Sequence, residues 1–317
     1  MSERKKGYLL ILLAAAIYST TEVALKLLGG AFAPMQLTCE RVLIGGVFVL
    51  PFALREMKRK RLDRSDWGYF ALMGFLTVTL HMSFLQLAVM HMDASATAAI
   101  YSGNPVFAIF AAHLLLGEPV RKNHLFAIAL EGIGILCILN PARLELSLRG
   151  FAEIMCATVL FALYGTLCKL RMKKLGSVVI SCLNMLLGGA EMLAILLLGK
   201  LPAVAALYEK CGLGLFARVS LTAGFTPRST LLMLYTGIFC AGIGFLLMAK
   251  IAEYTSAIEA SFIYLLKPII ATGLAVAVFR ETISVNRAVG IAFFMAASLC
   301  VSVPVLRERK REKMSAP

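Results

Sequence analysis

Charge is scarce in this sequence and lopsided where it occurs. Only 16% of the 317 residues are Asp, Glu, Lys or Arg, and 60% are hydrophobic. With a mean hydropathy of +0.83, this excludes a water-soluble domain of such length and places the chain in a bilayer. Acidic residues are the scarcer kind, 18 against 32 basic, for a net charge of +14. The excess would suit a nucleic acid, but the basic residues lie in short clusters between apolar runs without RNP-like or finger-like context, so no nucleic-acid partner is expected. Catalytic signatures are missing too. There is no HExxH, no GxSxG, and no paired Asp or Cys/His set at ligand spacing, so neither an enzyme nor a metal or other cofactor is expected. Of the eight cysteines only Cys211 falls in a long loop, and none forms a CxxC, which argues against disulfides. The run LLLGKLPA from Leu196 has a Gly-Lys pair without the earlier glycine of a phosphate-binding loop, which disfavours an ATP-driven pump.

Long apolar runs are what the sequence does have. About 20 apolar residues cross roughly 30 Å of hydrocarbon, and ten runs qualify, at about 7–28, 34–54, 67–89, 94–116, 122–140, 149–171, 177–199, 230–252, 257–279 and 286–306. The short alternating segments of a transmembrane barrel are not visible. Basic clusters mark one side of the membrane: Arg4 to Lys6, Arg55 to Arg64, Arg121 and Lys122, Arg171 to Lys174, and Arg307 to Lys313. By the positive-inside rule this places both termini in the cytoplasm of a multi-pass protein of the plasma membrane, of bacterial inner-membrane type. The loop from Lys200 to Arg228 is the basic exception, but long loops weigh little in that rule. The first run carries Glu22 and Lys26 and exceeds a secretory h-region, so it reads as a first helix and not as a cleaved leader.

The chain repeats itself. IYSGNP at Ile100 returns as IYLLKP at Ile263, GFLTVTL at Gly74 as GIFCAGI at Gly237, and LLLGE ending at Glu118 as AVFRE ending at Glu281, all with an offset of 163. Earlier in the unit, TCERVLIGG at Thr38 matches SCLNMLLGG at Ser181 and Tyr18 matches Phe161, with an offset of 143. One insertion at about 200–229 accounts for the difference. The predicted architecture is an all-α polytopic membrane protein of ten helices in two five-helix repeats, 1–145 and 146–317. Five is odd, so the second repeat enters the membrane inverted. Inverted repeats let one structure exchange inward-open and outward-open states around a midplane site.

Each copy of the opening motif falls at the middle of its span. A proline frees the carbonyl four residues earlier, so Pro105 and Pro268 are expected to break their helices and free the carbonyls of Tyr101 and Tyr264. In lipid such groups are tolerated only against protein or water. The order of spans, the repeat, and the endings Pro105 to Gly117–Glu118 and Pro268 to Arg280–Glu281 resemble the EamA family of the drug/metabolite transporter superfamily. That resemblance implies a secondary transporter with a central cavity open to one side at a time, moving a small metabolite. Tyr18 and Phe161 stand where relatives often have tryptophan, and Lys267 where many have an acidic or neutral residue.

Ionisable residues inside spans are functional candidates. Glu22 and Lys26, four apart, can neutralise each other on one helix face. Glu40 and Arg41 point in different directions, so each is expected to need a partner from another helix. Glu131 sits beside Gly132 and Gly134, where close packing is the commoner use of glycine. Glu153 and Glu191 lie several residues inside their spans. Lys267 breaks the symmetry with neutral Asn104, and it must be deprotonated, or paired with an internal counter-ion such as Glu22 or Glu191, or paired with an anionic group of a ligand. The expected substrate site is therefore Tyr18, Glu22, Tyr101, Asn104, Tyr264 and Lys267, with Glu22 and Glu259 as candidate proton-coupling carboxylates. Mixed charges fit a zwitterion, so the expected substrate is an amino acid or related carboxylate-bearing compound, with export favoured over import or exchange. A quaternary amine as substrate and a non-transporting structural protein remain the alternatives. The expected partners are this small molecule, the lipid bilayer and a proton, with the chain as a monomer or homodimer.

Overall fold

The computed structural model describes residues 3–60, 62–117, 120, 122–139, 147–254, 257–297 and 299–300, with side chains except at 3–8, 139, 249–250, 252–254, 257–262 and 264–265. Among these residues every regular element is helical. In order they are α1 (Glu3–Ser19), α2 (Thr21–Leu28), α3 (Pro34–Met57), α4 (Arg64–Gly74), α5 (Ser83–His91), α6 (Ala94–Tyr101), α7 (Asn104–Leu116), α8 (Lys122–Leu139), α9 (Leu148–Leu175), α10 (Ser177–Leu198), α11 (Pro202–Lys210), α12 (Pro227–Tyr235), α13 (Gly244–Tyr254), α14 (Ala257–Phe279) and α15 (Val285–Ala297). Seven helical runs among the described residues are long and apolar enough to cross a membrane: Leu9–Leu28, Pro34–Met57, Arg64–His91, Ala94–Leu116, Leu148–Leu175, Ser177–Leu198 and Pro227–Met248. Leu266–Phe279 and Val285–Ala297 are shorter apolar helices. The last of the ten expected spans, 286–306, extends beyond the described residues.

Local chemistry sets where several helices start. Pro34 opens α3, where its missing N–H is one of those a first turn leaves unpaired anyway. Asp63 and Asp66 form a reciprocal capping box at the start of α4, and Thr226 and Ser229 form one at the start of α12. Each residue of the second box lies 163 positions after its counterpart in the first. Between α4 and α5 the chain winds as π-helix over Phe75–Met82, and between α12 and α13 it does so again over Thr236–Ile243. The expected insertion at 200–229 holds α11, whose carboxyl end leads to a turn that folds back so that Arg218 N–H donates to Gly199 O at 2.8 Å.

The chain packs as two compact units, and each draws on both repeats. One unit comprises Met1–Val23, His91–Leu167 and Leu247–Pro317; within it α1 and α6 lie on α14, and α7 lies on α8. The other comprises Ala24–Met90 and Cys168–Leu246.

In this second unit α3 crosses α10 through a reciprocal set of contacts. Cys39 Sγ lies 3.7 Å from Gly189 O, and Cys182 Sγ lies 3.5 Å from Gly46 O. A Cβ on Gly46 would meet Leu186 at 2.8 Å, and one on Gly189 would meet Leu43 at 2.6 Å. Adding 143 to Cys39, Leu43 and Gly46 gives Cys182, Leu186 and Gly189, so each contact has its mirror. Positions rise along α3 as they fall along α10, so these matched helices cross antiparallel. Further out, a Cβ on Gly45 would meet Gly237 O at 2.8 Å and one on Gly188 would meet Gly74 O at 2.5 Å, which is again a mirrored pair. Only glycine lets backbones approach this closely, and dispersion replaces the missing hydrophobic drive between helices in lipid.

Candidate functional site

Two spans of the first unit are interrupted near their middles. The first breaks at Thr20, between α1 and α2. Ser19 Oγ donates to Ala15 O at 2.6 Å and also reaches Lys267 O at 3.2 Å, while Thr20 Oγ1 donates to Ile17 O at 2.7 Å. Side-chain hydroxyls here hydrogen-bond to backbone carbonyls, a competition that bends helices. The fourth span breaks at Ser102 and Gly103, between α6 and α7, with Pro105 in the first turn of α7. The ninth does not break: α14 is continuous from Ala257 to Phe279 with Pro268 inside it. Pro268 is therefore not the helix break that its match to Pro105 suggested. A proline alone removes one hydrogen bond and is tolerated in a packed membrane helix; in the fourth span Ser102 and Gly103 add the turn, where the ninth has Leu265 and Leu266.

Around these interruptions the structure assembles a charged centre. Lys267 Nζ lies 2.5 Å from Glu22 Oε1, and the two residues are only 3% and 0% exposed. Lys267 Nζ also sits over the ring of Tyr101, 4.3 Å from its centroid, where the aromatic face attracts a cation. Behind Tyr101 comes Phe161, with ring centroids 5.5 Å apart, and then Tyr164, stacked on Phe161 at 6.2 Å. Glu22 Oε2 is buried and accepts no hydrogen bond among the described residues. A carboxylate has two acceptor oxygens, so half of this one is left for another donor.

Of the residues expected at the site, Glu22, Tyr101 and Lys267 meet directly. Asn104 is buried but turns its amide to Thr158 O at 3.1 Å on α9. Tyr18 is half-buried on α1. Tyr264 and Glu259 lie on α14, and their side chains are outside the described residues. The sequence reading did not place Ser19, Phe161, Tyr164 and Thr158 at the site. Phe161 had a signal, its match with Tyr18; hydroxyls such as Ser19 in apolar runs carry none.

Four other acidic residues have partners away from this centre, as do Asp66 and its basic neighbours in the second unit. Glu40 takes a hydrogen bond from Gln36 at 3.1 Å, one turn back on α3, on Oε1, while its Oε2 is buried with no hydrogen-bond partner among the described residues. Glu153 is held by His91 at 2.6 Å and by Arg149 at 3.1 Å. Asp93 pairs with Arg287 at 2.6 Å. Glu281, the last residue of the AVFRE match, accepts from Ala94 N–H at 3.1 Å and Ser95 Oγ at 2.6 Å, capping α6 across the unit. This gives the carboxylate that follows α14 a structural task, because a helix N-terminus offers unpaired N–H groups and a partial positive charge. In the second unit, Asp66 is fully buried between Arg171 at 2.9 Å and Lys174 at 2.8 Å.

Comparison with known proteins gives one consistent family. The model of the EamA-like transporter family matches twice, over residues 5–140 and 148–303. An uncharacterized transporter of Clostridium kluyveri is 33% identical over 305 residues, 93% of this chain and 92% of that protein. An uncharacterized transporter of Archaeoglobus fulgidus is 27% identical over 92% of this chain and 95% of that protein. Protein PagO of Salmonella typhimurium is 21% identical over 88% of this chain and 86% of its own length. A solved crystal structure of 17% identity superposes with a TM-score of 0.65 over 95% of this chain and 97% of that one, a likeness of fold alone. With two matches of the family model covering nearly its whole length, this multi-pass membrane protein belongs to the EamA-like transporter family, within the drug/metabolite transporter superfamily.

Proposed function

We propose that this transporter moves an amino acid or related carboxylate-bearing metabolite by alternating access, in the export direction, and that the Glu22–Lys267 pair is where the substrate's charges are read. The observation that carries this reading is the pair itself. Two opposite charges are buried together at a helix interruption, one carboxylate oxygen lacks a donor, and an aromatic face lies against the ammonium. Both charges must be desolvated in this arrangement, which is costly unless each is paired. A zwitterion offers a carboxylate to Lys267 and an ammonium to Glu22, so it can replace the pair without leaving either charge alone. Tyr101 on α6, Asn104 on α7 and Tyr264 on α14 are the neutral hydrogen-bonding residues of the two matched motifs. Ten spans in two inverted repeats, with both termini cytoplasmic, complete the reading; the antiparallel crossing of α3 and α10 supports the inversion.

The test is reconstitution of the purified protein into liposomes, thermal-shift screening against an amino-acid and amine panel, and counterflow of each hit. An amino acid is expected to stabilise and exchange, and Lys267→Gln is expected to abolish both effects. A panel in which only quaternary amines exchange would replace the substrate class. Normal exchange by Lys267→Gln would reduce the pair to a structural counter-ion arrangement.

A further inference from the structure

The fourth span's interruption has a second acidic neighbour, and it is not part of the Glu22–Lys267 centre. Glu131, on α8, is 3% exposed, and neither of its carboxyl oxygens has a hydrogen-bond partner among the described residues. Its carboxyl lies against Gly103, the N-cap residue of α7; a Cβ added to Gly103 would overlap Glu131 Oε1 and come within 2.9 Å of Phe294 on α15. Gly103 is therefore needed for the acid to reach this place. Gly103 sits at the positive end of thirteen-residue α7, where Pro105 has no N–H and Val106 N–H is held only by the short bond to Gly103 O at 3.0 Å. An anion is stabilised at such an end.

The other repeat lacks both halves of this arrangement. At the offset of 163, Gly103 corresponds to Leu266 and Glu131 to Phe294, and there the helix runs unbroken. Acid and interruption occur together in one repeat and are absent together from the other.

We propose that Glu131 is a proton-binding site that operates the interruption of the fourth span: as the neutral acid it rests unbonded beside Gly103, and on losing its proton the carboxylate competes with Gly103 O for the Val106 N–H in the first turn of α7. The step is a proton equilibrium with water, in which the carboxyl O–H bond breaks and the charge left on oxygen is taken up by that backbone donor. The titratable or charged side chains on the surrounding elements are Tyr101 on α6, His113 on α7, Lys122, His124 and Cys137 on α8, and Arg287 on α15. None bonds to Glu131; Lys122 and His124 lie roughly 10 Å or more along the helix, and Arg287 is committed to Asp93. Linked to the transport reading, this site couples protons to the movement of α7, and therefore of Tyr101 at the end of α6.

The experiment uses the full-length protein in liposomes without substrate. Infrared difference spectra between mildly acid and mildly alkaline buffer are expected to contain a carboxylic-acid C=O band that Glu131→Gln and Glu131→Phe remove. In Ser102→Cys, the thiol reaction rate at position 102, read by peptide mass spectrometry and divided at each pH by the rate in the same variant with Glu131→Gln so that the thiol's own ionisation cancels, is expected to change roughly tenfold with pH. Persistence of the band in both Glu131 variants, or a ratio of rates that does not vary with pH, overturns the proposal. Because neither readout needs a substrate, they judge the proton site even if the wild type exchanges no panel compound, a result that would count against the transport reading alone. Conversely, substrate counterflow with an unchanged response to a pH gradient in Glu131→Gln overturns proton coupling and leaves the transport reading in place.

Discussion

The two copies of the central motif, IYSGNP and IYLLKP, began as one element and now differ in kind. The first breaks its helix at Ser102 and Gly103, carries neutral Asn104, and has Glu131 behind the break. The second keeps its helix whole through Pro268, carries Lys267, and has Phe294 where the acid would be. On the facing spans, Glu22 corresponds to Gly165, beside which a Cβ would meet nothing within 4 Å. Of the two copies, the first carries the helix break and the second carries the cation of the buried ion pair. A proline thus marks a place in the membrane where either specialisation can be built, and the residues before it decide which.

The comparison breaks most severely if the ion pair is split. Lys267→Gln alone leaves Glu22 buried without its counter-charge, and removing one partner of a buried pair costs about 3–5 kcal/mol. Its melting temperature is expected to fall well below that of Lys267→Gln with Glu22→Gln, in which no charge is stranded. Equal melting of the two variants would mean that Glu22 is otherwise satisfied. A smaller effect is expected from making the first motif resemble the second. Gly103→Leu forces a side chain into Glu131 and Phe294, and overpacking of this kind costs about 1–3 kcal/mol. Adding Glu131→Ala should recover part of that loss, and no recovery would place the strain elsewhere.

Where the repeats have stayed alike, substitutions should behave alike. Gly45→Ala and Gly188→Ala push methyl groups toward Gly237 O and Gly74 O respectively, so thermal unfolding should register similar losses, at the lower end of about 1–3 kcal/mol each. A large difference between them would argue against the mirrored contacts that α3 makes with Gly237 and α10 with Gly74. Smallest of all, Gly132→Ala on α8 meets nothing within 4 Å and should stabilise by about 0.5–1 kcal/mol through helix propensity.

Much of this was legible before any coordinates. The offsets of 143 and 163 survive in the mirrored contacts of Cys39 and Cys182 and in the two capping boxes, because packing and capping depend on residue types that a sequence displays. Lys267 stood out as a lone charge at midspan, with Glu22 among its possible counter-ions. The rest depended on geometry without a compositional signal. The π-helical turns at Phe75–Met82 and Thr236–Ile243 form in ordinary apolar sequence. The break at Thr20 follows the back-bonded hydroxyl of Ser19, yet Thr158 and Thr166 back-bond in the same way within the unbroken α9. Glu131 looked like a neighbour of packing glycines, and Gly134 is one, lying against Gly290 and Phe294. The glycine that gives Glu131 its place, Gly103, is on a different span.

The most direct test of the Glu22–Lys267 centre compares one ligand with its own amide. Take the amino acid that most stabilises the wild-type protein and measure its affinity by calorimetry beside that of its carboxamide, which keeps the ammonium and loses the negative charge. A site in which Lys267 receives the carboxylate should bind the amide on the order of a hundredfold more weakly or worse, because a buried cation is then left without a partner. Equal affinity for the two would contradict the assignment of Lys267 to the substrate.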